Sequence, residues 1–207
     1  MNSRRISERA WALAAAVMVL AGASACDDKQ DPPERVTPPA GVLQPSDLMG
    51  SPAPKVLGQD ETLSYACGST PESDLDDNSE SRYIVEYKLD DQTVVRSSKY
   101  TYAVAEDRDE DIAGLRSGIS GCVAAHLGDG TKDSEKFTAV PGLPGTAAGY
   151  DVYRADPDGG YRIGERIWAS QGAEGIVSVT VLYQGDQKID KLPADAKQLA
   201  LEVAARQ

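Results

Sequence analysis

The most β-prone run in the chain is Gly175–Tyr183, which reads GIVSVTVLY in one-letter code. β-Branched residues fit the pleated, half-buried surface of a sheet better than they fit a helix. Val177, Val179, Val181 and Tyr183 alternate with the residues between them, so the pattern predicts a strand with these four side chains on one face. We therefore expect a sheet in the core of the domain.

Shorter runs earlier in the chain share this alternation. Tyr83–Leu89 and Val94–Val104 are separated by the polar residues 90–92, and this arrangement predicts a β-hairpin. Two short strands, Lys136–Val140 and Gly149–Ala155, lie on either side of a loop rich in Pro and Gly, and the turn residues 156–160 lead into a strand at Tyr161–Ser170. The later strands are thus expected to pair through short turns.

One helix is predicted between the hairpin and the later strands. The acidic cluster Asp107–Asp111 suits a helix N-terminus, because negative charge there favours the helix dipole. The apolar residues that follow recur every three or four positions and predict a core-facing arc, formed by Ile112, Leu115, Ile119, Cys122 and Val123. A second arc holds Gly114, Gly118, Gly121 and Ala125, and we expect another element to pack closely there, since each glycine costs a helix about 1 kcal/mol against alanine.

The chain closes with a second helix. Pro193 suits a first helical position, and Ala196, Leu199, Ala200 and Val203 form an apolar stripe. Strands followed by helices at these positions predict the α+β class, a central antiparallel β-sheet packed by two main helices.

The N-terminus has the layout of a secretory signal. Arg4, Arg5 and Arg9 precede an uncharged run from Ala10 to Ala23, and Cys26 follows directly after small residues. A cysteine at this place resembles the lipobox of bacterial lipoproteins, in which the thiol is lipidated and residues 1–25 are removed. The resemblance implies lipid on Cys26 and a location on the extracellular face of the cell membrane. Residues 23–25 also satisfy the small-x-small rule for ordinary cleavage, so a secreted, unlipidated protein is the alternative.

Residues 26–45 are predicted to form a Pro-rich linker, because paired prolines stand there among polar residues. One domain is expected at 46–207, where enough chain remains for a core. The segment Ser46–Glu80 is predicted to lie over this domain, with only Thr62–Cys67 strand-like.

Charge restricts the partners. The formal net charge is -12, and removal of residues 1–25 takes away three Arg and one Glu and leaves -14. An acidic surface repels phosphate backbones and anionic headgroups, so we expect no nucleic acid partner and no basic membrane-binding patch.

The cysteines predict a disulfide. If Cys26 carries lipid, Cys67 and Cys122 remain as a pair, and an extracellular pair usually bonds. The rival interpretation, a reactive thiol at Cys122, has only His126 as a base, one turn along the same helix.

Few other residues suggest chemistry. Asp74, Asp76, Asp77, Asn78 and Glu80 have the composition of a calcium loop but lack its glycine, so a solvated acidic loop is expected. No phosphate loop, zinc spacing or nucleophile elbow occurs, and neither a cofactor nor a catalytic metal is predicted.

Arg162, Arg166 and Trp168 share one face of a predicted strand that also carries Glu165. These three residues are the candidate contacts for a polar or anionic ligand. An exposed strand face with cross-strand charge pairs is the alternative.

The order of these features resembles the extracellular sensor domain of PknH-like kinases, which also occurs alone in actinobacterial lipoproteins. The resemblance rests on Leu43–Leu48, a following cysteine and hairpin, a helix that ends in Gly121-Cys122, the strands between Tyr150 and Tyr183, and an alanine-rich last helix. It implies an antiparallel sheet with a cleft that binds a ligand or partner outside the cell, and a bridge that anchors the helix.

These observations predict a membrane-anchored, non-enzymatic binding or sensor-like lipoprotein, whose partner is an extracellular small molecule or an envelope protein. One alternative is an envelope interaction protein that docks through its acidic surface. The other is a secreted hydrolase with an acidic pair, although spacing singles out no such pair.

Overall fold

The computed structural model describes residues 37–58, 75, 77–128, 135–157, 159–173 and 175–206, with the backbone alone for residues 125–128. Seven strands lie within these residues: β1 (Pro54–Leu57), β2 (Ser81–Lys88), β3 (Thr93–Thr101), β4 (Glu135–Ala139), β5 (Ala147–Ala155), β6 (Tyr161–Gln171) and β7 (Gly175–Gly185). Two helices accompany them, α1 (Ala105–Gly128) and α2 (Ala196–Ala204). Cys26, Cys67 and the predicted strand Thr62–Cys67 lie outside the described residues, as does the side chain of His126.

The described strands form one antiparallel sheet in the order β1-β2-β3-β7-β6-β5-β4. One face carries the α1-side core, in which Ile112, Leu115 and Ile119 of α1 pack with residues of the sheet. The opposite face carries the α2-side core, in which α2 packs with Val177, Val179 and other valines. The predicted α+β class, a central antiparallel sheet with two main helices, is confirmed.

Strand β7 lies at the centre of this sheet, between β3 and β6. Residues 175–183 are buried on both faces, because the two cores lie on opposite sides of the strand. The sequence pattern alone assigned four of these side chains to one face of the strand. The predicted hairpin is confirmed, since β2 and β3 pair antiparallel from Ser81↔Thr101 to Lys88↔Val94.

The packed domain includes residues that composition assigned to the linker. Val42 and Leu43 are fully buried in the α2-side core. The Leu43 N–H donates to Ser97 Oγ at 3.3 Å, and the Leu43 carbonyl accepts from the Tyr87 hydroxyl at 2.5 Å. The expected boundary between residues 45 and 46 therefore lies too far along the chain, because two apolar residues among prolines are enough to join the core.

An ion pair between Asp47 and Arg206 connects this segment to the residues after α2. Arg206 donates to both carboxylate oxygens of Asp47, at 2.6 and 2.7 Å. Burial alone raises the pKa of Asp47, but hydrogen bonds from Arg206 and the Gln44 N–H, with the Arg206 charge, outweigh it and hold the pKa below its ordinary value.

One strand was not predicted, and several element boundaries differ from the sequence prediction. Strand β1 pairs with β2 and was not predicted, because its four residues begin with proline. Strand β3 ends at Thr101 rather than at residue 104. Helix α2 begins at Ala196 rather than at Pro193, because the Asp195 carboxylate accepts the Gln198 N–H at 2.8 Å and caps the helix there.

Helix α1 has the predicted core-facing arc, and Asp111 from the acidic cluster is buried beside it, where it accepts hydrogen bonds from Tyr102 and Asn78. The expectation for the glycine arc is wrong for Gly114 and Gly121. A Cβ added at either position would meet no atom within 4 Å, so no described element packs closely there.

Candidate functional site

A cleft of about 420 Å³ opens on the α2 side of the sheet, over strands β4, β5 and β6. Its floor is formed by side chains of the three strands, and its far wall by the segment that precedes α2. We call it the Asp151 cleft; its lining includes Lys136, Thr138, Asp151, Tyr153, Ile163, Glu165, Asp190, Lys191, Leu192, Ala194 and Asp195. The volume lies in the range of small-molecule sites.

Strand register brings two carboxylates together on the cleft floor. Asp151 lies directly opposite Glu165 on β6 and directly opposite Thr138 on β4. Side chains opposed in this way have Cβ atoms about 4.5–5.5 Å apart, and like charges so placed are destabilising. An arrangement that costs stability and lies in a cleft is typical of a functional site.

Glu165 has a structural partner at this position. Its Oε2 accepts the N–H of Ala196, the first residue of α2, at 3.0 Å. Burial raises the pKa of Glu165, and the charges of Asp151 and Asp195 raise it further, while hydrogen bonds from the backbone N–H groups of Ala196 and Lys197 act against the rise. Glu165 thus fixes the start of α2 and forms one side of the cleft.

Asp151 is the open carboxylate of the cleft. Its side chain is half-buried, and burial raises the pKa of its carboxyl group. Among the residues that the structure describes, none donates a hydrogen bond to this carboxylate or pairs with it. Its oxygens are therefore available to a donor that enters the cleft.

Two lysines lie at the rim. Lys136 is exposed on β4, opposite Tyr153, and Lys191 is exposed on the segment before α2. Within the described part of the chain, neither ammonium group forms an ion pair. The lining of the cleft therefore carries two ammonium groups, together with the carboxylates of Asp190 and Asp195 beside Lys191 and those of Asp151 and Glu165 on the floor.

The arginines and the tryptophan predicted to bind a ligand lie elsewhere. Arg166 and Trp168 are 3% and 2% exposed on the opposite, α1-side face of the sheet, with the Arg166 guanidinium 4.5 Å from the Trp168 ring centroid. Arg162 shares that face and lies opposite Gln184 of β7. The alternative of an exposed strand face is wrong for Arg166 and Trp168, and ligand binding by the three residues stays a prediction.

Cys122 is half-buried on α1 and packs against the α1-side core. Since Cys67 lies outside the described residues, the Cys67–Cys122 pairing stays a prediction.

Sequence reasoning missed the pair of Asp151 and Glu165, which stand 14 residues apart. The signal was present in the predicted turn at 156–160, because a short turn between two strands sets their register. Pairing outward from that turn places residue 151 opposite residue 165.

Comparison with known proteins adds little. No family model and no curated protein matches the chain. A solved structure, the extracellular domain of PknH from Mycobacterium tuberculosis, is similar at 14% identity and a TM-score of 0.34, over 59% of this chain and 60% of that domain. At this TM-score the similarity carries no conclusion about fold or function.

Two further observations concern membranes and metals. No helix among the described residues combines the length and the apolar character needed to cross a membrane. The same residues contain no group of three or more His, Cys, Asp or Glu side chains that could hold a metal ion.

Proposed function

We propose that this protein is a lipid-anchored extracellular lipoprotein whose domain binds a small molecule in the Asp151 cleft, without catalysis. The observation that carries the proposal is the half-buried Asp151 carboxylate, which lies in a cleft of ligand size beside a second carboxylate and has no described hydrogen-bond donor. Partial burial disfavours the charged form of Asp151, and a ligand that donates hydrogen bonds to this carboxylate offsets that cost.

The contacts of Glu165 favour binding over hydrolysis. Acid–base hydrolysis by a carboxylate pair needs both groups at the reacting bond, one as acid and the other as base or nucleophile. Glu165 instead accepts a backbone N–H at the start of α2 through Oε2, so of the two carboxylates only Asp151 has no described hydrogen-bond donor.

A hydrolase is the second candidate, because Asp151 and Glu165 are directly opposed and burial raises both pKa values. Hydrolysis of chromogenic glycosides by the wild type, but by neither Asp151→Asn nor Glu165→Gln, would favour it over binding.

The binding proposal is tested by amide ¹H–¹⁵N spectra of the purified mature protein. Cationic, anionic, zwitterionic and neutral fragments are added in separate sets. We expect shifts at Thr138, Asp151, Glu165 and Ala196 with at least one set, because the first three line the cleft and the Ala196 N–H donates to Glu165. Asp151→Asn should weaken them, while Asp91→Asn, on the β2–β3 turn, should not. Shifts confined to other surfaces would contradict the proposal.

The anchor is supported by the sequence around Cys26, and its test is independent of the cleft. Intact mass of the native protein should show a chain that begins at Cys26 with the added mass of a diacylglyceryl group, which a Cys26→Ala variant should lack. Reduction should add two hydrogens if Cys67 and Cys122 are bonded. An unlipidated protein in the medium would contradict the anchor.

A further inference from the structure

The arrangement of charges in the cleft points to the chemical class of its ligand. We propose that the Asp151 cleft selects a zwitterion of about dipeptide length, with its ammonium group at Asp151 and its carboxylate at Lys136 and Lys191. The inference rests on the proposed function, that is, on this cleft as the binding site.

The position of the ligand's ammonium group is inferred from the two carboxylates on the cleft floor. Asp151 and Glu165 are directly opposed, and Glu165 already accepts the Ala196 N–H. An ammonium group carries three donors and no acceptor, so it satisfies the open Asp151 oxygens and offsets the repulsion between the two carboxylates. A neutral donor would supply the hydrogen bond without the charge, and an anion would add to the repulsion.

The position of the ligand's carboxylate is inferred from the two lysines at the rim of the cleft. Lys136 lies opposite Tyr153, so it is the diagonal neighbour of Asp151 across the β4–β5 pair. Such neighbours lie about 7–8 Å apart, with their Cβ atoms somewhat closer, and this is within the reach of a long side chain. Lys191 lines the same cleft from the segment before α2, and neither lysine has an ion pair among the described residues.

The placement of Asp151 and Lys136 at diagonal positions of neighbouring strands suits a short ligand. An extended chain spans at most about 3.3–3.6 Å per residue, so two residues place an ammonium and a carboxylate about 7 Å apart. The lining of the cleft also includes Ile163, Leu192 and Ala194, which suit a small apolar body.

The test uses four forms of one peptide on the mature protein: alanyl-alanine, its N-acetyl form, its C-terminal amide, and the form blocked at both ends. We expect alanyl-alanine to bind about tenfold more tightly than either singly blocked form, because each blocked end loses a charge-assisted hydrogen bond. Dissociation constants come from amide shifts in the cleft.

Variants separate the two ends. Asp151→Asn should lower the affinity for alanyl-alanine to that of the N-acetyl form. The double variant Lys136→Gln/Lys191→Gln should lower it to that of the C-terminal amide. Matched controls are Asp91→Asn on the β2–β3 turn and Lys55→Gln on strand β1, and both should leave the affinity unchanged.

Three results would overturn the ligand class. They are equal binding of the N-acetyl form and alanyl-alanine, the same cleft shifts with Ca²⁺ or Mg²⁺ in place of a peptide, and no cleft shift with any of the four peptides. If fragments of another class still shift the cleft residues, the binding cleft stands and only its ligand is wrong. If no fragment shifts them, the proposed function is wrong as well.

Discussion

Replacement of Leu43 by alanine tests whether the domain begins before residue 46. Leu43 is fully buried in the α2-side core, and its backbone is held by Ser97 and Tyr87. Alanine keeps both backbone hydrogen bonds and removes only the apolar side chain. Loss of a buried leucine side chain costs about 2–5 kcal/mol, including the cavity it leaves. Against a total of about 5–15 kcal/mol for a domain, this is a large effect.

The assay is urea unfolding of the mature protein, followed by the fluorescence of Trp168, which is buried in the α1-side core. A matched control is Met49→Ala, since the Met49 side chain is 96% exposed and should change the free energy of unfolding by less than about 0.5 kcal/mol. If Leu43→Ala is as stable as Met49→Ala, residues 41–45 belong to the linker and our domain boundary is wrong.

Three further predictions concern stability. Gly114→Ala and Gly121→Ala should each raise the free energy of unfolding by up to about 1 kcal/mol, because alanine favours a helix over glycine and the added Cβ meets no atom within 4 Å. A lower melting temperature in either variant would show that another element packs there. Asp151→Asn should stabilise the protein modestly at pH 7 in urea unfolding, because the folded state raises the pKa of Asp151 and so disfavours its ionised form. The gain should disappear as the pH falls below the ordinary value of 3.8, and a gain that persists there would contradict this cause. Asp47→Asn should lower the free energy of unfolding by about 1 kcal/mol at pH 6. Because the folded state lowers the pKa of Asp47, the difference in stability between wild type and variant should shrink only below pH 3.8. An equal difference at pH 2.5 and pH 6 would contradict the role of the charge paired with Arg206.

The sequence predicts most of the sheet and the core faces of both helices, because alternation and helical spacing are local properties of the chain. It fails where a few residues depend on distant partners. Val42 and Leu43 lie in a proline-rich stretch, and they are buried because they pack in one core with α2 and the sheet. The start of α2 depends on a cap at Asp195, which overrides the preference of Pro193 for a first turn.

The glycines of α1 show the opposite error. Their regular spacing predicted a contact, yet spacing on a helix says only which residues share a face and not whether another element covers it. The open space beside Gly114 and Gly121 depends on where the neighbouring elements pack.

The cleft could be only partly predicted. Both strands and the turn at 156–160 were recognisable, and together they imply the pairing of Asp151 with Glu165. The segment before α2 completes the cleft, and its position depends on packing in the α2-side core and on the hydrogen bond from Ala196 to Glu165. No local pattern encodes that contact.

The most direct test of the cleft as a ligand site is a carbon-13 titration of the Asp151 and Glu165 carboxyl groups, with and without alanyl-alanine. In the free protein both groups should titrate above their ordinary values of 3.8 and 4.5, because burial disfavours their charged forms. Bound ligand should lower the pKa of Asp151, because an ammonium group favours the carboxylate. Ordinary values in the free protein that the peptide leaves unchanged would contradict the account.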